Sequence, residues 1–228
     1  MMSTMIDPKI FNADNIEFLS TYLVSLSRRI TESAISVDNA ELMKTQGINV
    51  DEIQRIIKRE KDIYEAFKLF VPMLLTHDEL TYEKIIEIGN CIVGNKEGLR
   101  KDNKNDISET ISIPNYEDLE QELNKLIYDY NTTWINDDTF TREAKFHINF
   151  IRMCPFPDGN HRIAILLLAY NLAHQGIAPT VISNDLTKYY DNYILEANYV
   201  EMANLFKIQS IKENLIIKDE YYKYKGID

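Results

Sequence analysis

FIRMCPFPDGNHRIAILLLAYNLAHQG, residues 150 to 176, decides how the rest of this chain is read. Phe146, Ile148, Phe150, Ile151 and Met153 close an apolar run with helical character. A tight loop follows, Cys154-Pro155-Phe156-Pro157-Asp158-Gly159. Pro155 and Pro157 disfavour the α conformation at Cys154 and Phe156, so the first helix has to stop here. Gly159 permits a positive φ and close backbone approach, and Asn160 is a good N-cap. The second run, Ile163 to Ala173, is apolar nearly all round and predicts a buried helix.

The amides of that helix's first turn face the loop with the positive end of the helix dipole behind them. Such a mouth favours anions, phosphate above all, and Arg162 stands one turn inside, where it would hold an oxygen. Asp158 on the loop is placed to take a divalent cation bridging phosphates. Two readings stay open from spacing alone. One is a nucleotide-phosphate site at the mouth of a buried helix. The other is an ordinary polar connection between two helices.

The string CPFPDGNHR resembles the signature of the Fic (Fido) family, H-P-F-x-(D/E)-G-N-G-R-x-x-R, with Pro155, Phe156, Asp158, Gly159, Asn160 and Arg162 in register. The likeness extends upstream to Phe146-His147 and downstream to Ala173 through Pro179. Family members transfer AMP, or occasionally another phosphate-containing group, from a nucleotide to a protein hydroxyl. The resemblance implies an all-α fold, a helical bundle with a small β-hairpin flap, and binding of ATP with Mg²⁺. It assigns phosphate contacts to Gly159, Asn160, His161 and Arg162, and the metal to Asp158.

The departures matter as much. Cys154 replaces the histidine that deprotonates the target hydroxyl, His161 replaces the second motif glycine, and Ile165 replaces the last arginine. A free thiol ionises near pH 8.5, so about 10²–10⁴-fold of general-base catalysis is expected to be missing. A thiolate lowered by the helix N-terminus would serve as a nucleophile instead, although bound polyphosphate opposes its charge. His161, in the phosphate turn, fits an oxygen or solvent contact better than the role of base. The implied function is nucleotide binding with transfer weakened or lost. The alternatives are a non-catalytic module binding nucleotide and a partner protein, a transferase using another phosphate-containing donor, and a helical interaction protein with no ligand site.

The 228 residues, 45% apolar, suffice for one well-buried core, and 7 glycines and 6 prolines suit a helical chain. A net charge of −11 argues against direct nucleic-acid binding and against an anionic membrane surface. Cys91 and Cys154 lie too far apart in sequence for a CxxC pattern, and Cys91 reads as a buried core thiol. No apolar run reaches the ~18–20 residues of a membrane span, and the N-terminus lacks the regions of a signal peptide. A cytoplasmic protein with a protein target is expected, self-modification and a homodimer being compatible with this.

Residues 1–48 are expected to form an N-terminal helical segment and 49–228 the Fic domain, with the motif at 154–165. Ile16, Leu19, Leu23 and Leu26 make an amphipathic stripe between Asn15 and Arg29. The segment ESAISV resembles, through Ser33, Ala34 and Ile35, an inhibitory motif of the family whose glutamate pairs with the last motif arginine. Ser36 falls where that glutamate would stand, so both ends of the inhibitory ion pair are absent. Residues 50 to 75 read as a long helix ended or kinked at Pro72, and Glu79 to Cys91 as another, capped by Thr76 or Asp78. Gly98-Leu99-Arg100 resembles the G-x-Y-R stretch before the family's flap, which pairs with the target segment by strand addition. Ile111, Ser112 and Ile113 alternate as its edge strand would. Tyr116 to Asn131 is amphipathic, with Leu119, Leu123, Leu126, Ile127 and Tyr130 inward. Trp134 and His147 read as packed, satisfied core residues. Tyr189, Tyr190, Tyr193 and Tyr199 fall at intervals that make either a core stripe or, by resemblance and with Asn198, the adenine end of the site.

Overall fold

The structure is a computed structural model. It describes residues 3–10, 15, 17–18, 21–22, 25–26, 28–29, 54, 58, 61–63, 65–66, 79–94, 98–104 and 111–227. Among these the chain is all-α, and no strand forms. The helices with complete bounds are α1 (Tyr82–Val93), α2 (Leu119–Tyr128), α3 (Thr139–Met153), α4 (Asn160–His174), α5 (Thr187–Leu195) and α6 (Tyr199–Lys225).

Local chemistry sets the boundaries. Thr81 caps α1, its hydroxyl accepting from the Lys84 amide at 3.4 Å, and Gly94 ends it at φ 72°. The helix expected from Glu79 therefore starts later, at Tyr82, because the capping hydroxyl is that of Thr81. A short 3₁₀ turn, Tyr116–Asp118, leads into α2, and a π turn, Asp129–Thr133, carries its last residues on towards Trp134. Leu119, Leu123, Leu126, Ile127 and Tyr130 are all buried, as their spacing predicts. Asp138 caps α3 by accepting from the Thr141 amide at 3.2 Å. Asn198 caps α6 in the same way, accepting from Glu201 at 3.2 Å. That bond gives Asn198 a structural role, beside the contact near adenine which the resemblance assigns it.

The core forms where α3 runs along α6 with α4 against its other side. α4 also meets α1. From Ile163 to Leu172 every residue of α4 is buried, so this helix is core on all sides and only its ends reach the surface. A helix without a polar face must be surrounded, and its mouth is thereby held at one place in the fold.

The N-terminal residues described are tied down elsewhere. Met5 bridges Ile177, with the Ile6 amide donating to Gly176 O and the Ala178 amide to Thr4 O, both at 2.9 Å. Phe18, Tyr22 and Leu26 are helical, buried and one turn apart. The inward stripe of this segment thus passes through Phe18 and Tyr22 to Leu26, while Ile16, Leu19 and Leu23 lie outside the described residues. Tyr22 donates to Glu213 of α6 at 3.0 Å, and Arg29 pairs with the same carboxylate. Of the stretch read as a long helix over 50 to 75, the described residues 54, 58, 61–63 and 65–66 are helical, with Ile63 and Ala66 buried. No described helix is long and apolar enough to cross a membrane.

Candidate functional site

The loop between α3 and α4 is built as its prolines require. α3 stops at Met153, and Cys154 takes a left-handed backbone at φ 48° and ψ 56°. That conformation costs a non-glycine residue of order 1–2 kcal/mol, and it persists only where neighbours over-determine it. They do so here. Pro155 blocks the right-handed alternative, the Cys154 amide donates to Ile151 O at 2.9 Å, and Arg100 Nε donates to Cys154 O at 2.8 Å. The Cys154 side chain is buried, 1% exposed, and Asn160 Nδ2 donates to its Sγ at 3.3 Å.

Asn160 does not act as the N-cap that its position predicts. Gly159, at φ 76°, occupies the cap, and Asn160 is the first residue of α4. Its side chain folds back into the loop instead, accepting from the Phe156 amide and donating to Phe156 O, both at 2.9 Å. A buried turn has backbone groups that must be satisfied, and one carboxamide offers both a donor and an acceptor for them. Phe156 is fully buried and lies on Gly89 of α1, where an added Cβ would come within 2.1 Å of its ring. Gly89 is a site-shaping residue that the sequence reading passed over. A glycine inside an otherwise apolar helix was the signal for it, since such a residue marks close approach.

Gly159 is equally constrained. A Cβ there would meet Ile92 at 2.8 Å and the Arg162 guanidinium at 3.0 Å, besides the strain of its positive φ. The first helical bond of α4 runs from the Ile163 amide to Gly159 O at 2.9 Å. The amides of Asn160, His161 and Arg162 precede it at the mouth. Arg162 is 1% exposed, yet its Nη2 reaches Asp158 Oδ2 at 3.0 Å, and that carboxylate is 64% exposed. Asp158 Oδ1 accepts from the Gly159 amide at 2.6 Å. The loop thus holds a buried cation directly beneath an accessible acidic tip. His161 is half-buried, its ring 6.3 Å from that of Tyr190. Ile165, where the resemblance expects an arginine, is wholly buried in the core.

α3 carries two buried titratable groups, His147 on the side of the mouth and Glu143 beside the far end of α4. His147 bonds the Tyr190 hydroxyl through Nε2 at 2.7 Å. The ring is buried as expected but only half satisfied, since Nδ1 is buried without a hydrogen-bond partner among the described residues and the bond at Nε2 goes to a tyrosine rather than to backbone. Burial, and then the neighbouring His161, push its pKa down to about 3. Glu143 receives Asn171 Nδ2 at 2.9 Å and the Tyr130 hydroxyl, and burial still lifts its pKa to about 7 against those donors. Tyr190 is therefore core, whereas Tyr189 is 55% exposed and the Tyr199 hydroxyl donates to Asn149 at 3.1 Å.

Arg100 joins the loop to the segment where a flap is expected. Its amide donates to Pro155 O at 2.9 Å, its Nη2 to Pro114 O at 2.5 Å, and its Nη1 to Asp102 O. Asn103 and Asn115 close the base of this excursion at 2.7 Å. Ile111 sits at a bend and is buried, Ser112 is exposed, and neither they nor Ile113 lie in a strand. Residues 105–110, the remainder of the expected hairpin, lie outside the described residues, as do Ser33 and Ser36 of the inhibitory-like segment.

Among the described residues no group of three or more His, Cys, Asp and Glu could hold a metal ion. A single accessible carboxylate next to an anion-favouring helix mouth does fit Mg²⁺, which is commonly held by one or two carboxylates together with substrate phosphates. Asp158 is the residue that would hold it.

An all-α bundle with a glycine-led helix mouth over a buried arginine is the class of protein that fold and site define. Residues 79–172 match the family model described as Fic/DOC family. The fold agrees with solved structures. A Fic domain containing signaling protein from Bacteroides thetaiotaomicron VPI-5482 aligns at 17% identity and a TM-score of 0.71, covering 93% of this chain and 92% of that one. Fic-1 from C. elegans aligns at 20% identity and a TM-score of 0.60, covering 90% of this chain and 67% of that one. A Fic family protein from Desulfovibrio desulfuricans G20 aligns at 15% identity and a TM-score of 0.60, covering 95% and 76%. No curated protein matches the chain.

Proposed function

We propose that this protein binds ATP at the mouth of α4 and descends from enzymes that transfer AMP to Ser, Thr or Tyr hydroxyls of proteins, its own transfer being weakened or lost through Cys154. The observation that carries this reading is the buried Arg162 beneath the left-handed Gly159, inside the residues that match the Fic/DOC family model. Burying a guanidinium is costly, and Arg162 pairs with an exposed carboxylate at the loop tip. A phosphate oxygen at the mouth would share that cation and meet the helix dipole. Mg²⁺ on Asp158 would neutralise charge on the phosphates.

At position 154 the transferred group's acceptor hydroxyl would need to lose a proton. A thiol buried to 1% exposure and engaged by Asn160 is a poor base for that step. The same burial favours, as the second reading, a regulatory module that binds nucleotide and a partner protein without turnover. Transfer from a different phosphate-containing donor meets the same deficit at Cys154, and a purely helical interaction protein would use Arg162 only to hold Asp158 in the loop.

Calorimetric titration with Mg-ATP tests the proposal. Saturable binding is expected, weakened at least about tenfold in Arg162→Ala, as befits loss of charge-assisted hydrogen bonds. Absence of binding to the parent protein, with its helical spectrum intact, would overturn it.

A further inference from the structure

α6 exposes apolar side chains on the face opposite its buried one. Met202, Phe206, Glu213 and Ile217 face inward and are buried. On the other side Ile208, Leu215 and Tyr222 recur every seven residues at 53%, 49% and 45% exposure, with Ile216 beside them at 38%. Positions seven apart lie almost one above the other on a helix, drifting only ~20° per step, so these side chains form one stripe along α6. The spacing is that of a helix–helix seam.

Two charges lie in the stripe. Lys212 and Asp219 are both exposed and flank Leu215 on opposite sides. Their order decides what the stripe can accept. Laid parallel on a second copy, Lys212 would face Lys212 and Asp219 would face Asp219, a repulsive arrangement. Laid antiparallel, about a two-fold axis beside Leu215 and Ile216, Lys212 of each copy faces Asp219 of the other. Ile208 of each then meets Tyr222 of the other. Lys207 and Lys223 fall at the two ends of such a contact, where solvent reaches them. Asp219 already pairs with Lys223 at 2.6 Å, but both side chains are mostly exposed, and a carboxylate accepts a second cation readily.

We infer that the Ile208–Tyr222 face of α6 is a self-complementary surface on which a second copy of this chain docks antiparallel. The contact is isologous, so one patch serves both subunits and the assembly closes at two. It lies on the face of α6 turned away from α3, and it does not depend on the nucleotide reading. A single pair of helices makes a small interface, so the association is concentration-dependent.

Sedimentation velocity tests it, with loading concentrations from about 1 to about 500 µM to span the affinities of small interfaces. The parent is expected to pass from monomer to dimer within that range. Leu215→Glu is expected to remain monomeric. Lys212→Glu and Asp219→Lys, each placing like charges opposite one another, are expected to raise the dissociation constant at least about tenfold, and their combination to restore it. Circular dichroism of each variant checks that the exposed substitutions leave the helices intact. A parent that is monomeric throughout overturns the inference. So does a dimer indifferent to these substitutions, or single reversals that their combination does not rescue.

Discussion

Cys154 and Asn160 act on each other before either acts on a ligand. The left-handed backbone at Cys154 puts its thiol under the Asn160 carboxamide, and that same carboxamide satisfies both backbone groups of Phe156. Asn160→Ala would strand a buried N–H and a buried C=O, costing of order 2–3 kcal/mol in urea unfolding. It should also slacken the loop, so that ATP binds more weakly to the variant even below its unfolding transition. Unchanged stability would show that the loop holds its shape without this residue. Spacing marked Asn160 as important, but as a cap. Its actual role depends on Pro155 and Pro157 having already made a buried turn with polar groups to satisfy, and a residue-by-residue reading does not count those.

At the scale of elements, α1 meets the loop before α4 through the smallest available residue. Gly89 leaves room for the Phe156 ring, and an added methyl would fall 2.1 Å from it. Ala is favoured over Gly in a helix by up to about 1 kcal/mol, yet overpacking costs about 1–3 kcal/mol, so Gly89→Ala is expected to lower thermal stability. An increase would mean that Phe156 has somewhere else to go. α3 contributes two groups whose pH effects oppose each other. Burial raises Glu143 from 4.5 to about 7, so its stabilisation is complete below 4.5 and is lost as pH rises through 7. His147 falls from 6.5 to about 3, so its contribution is complete above 6.5 and is lost as pH falls towards 3. Between 4.5 and 6.5 these slopes cancel. Glu143→Gln should therefore make stability rise with pH across that window, and His147→Gln should make it fall, each by up to about 1.4 kcal/mol per pH unit relative to the parent. Urea midpoints at three pH values read both slopes. Parallel curves for parent and variants would contradict the assignment.

The whole molecule is organised around a helix that the sequence makes easy to find. α4 is apolar all round, so it had to be central, and the proline-rich loop before it had to be a break. α2 and α3 were legible for the same reason, since their inward residues keep helical spacing. The start of α1 was misjudged because Thr76, Asp78 and Thr81 are all capping residues, and only packing chooses among them. Arg100 resembled the residue before a flap, but nothing in a linear string reveals that its guanidinium binds carbonyls from the loop and from Pro114 at once. Long-range polar contacts of this kind, like those tying Tyr22 and Arg29 to Glu213, have no period to betray them. The central claim is that this scaffold is kept for nucleotide while the base of the transfer reaction is missing. Intact mass after incubation with Mg-ATP, parent beside Cys154→His, tests it most directly. The account predicts addition of one AMP to the histidine variant alone. Addition to the parent as well would contradict the argument from the thiol, and addition to neither would contradict the claim that only the base was lost.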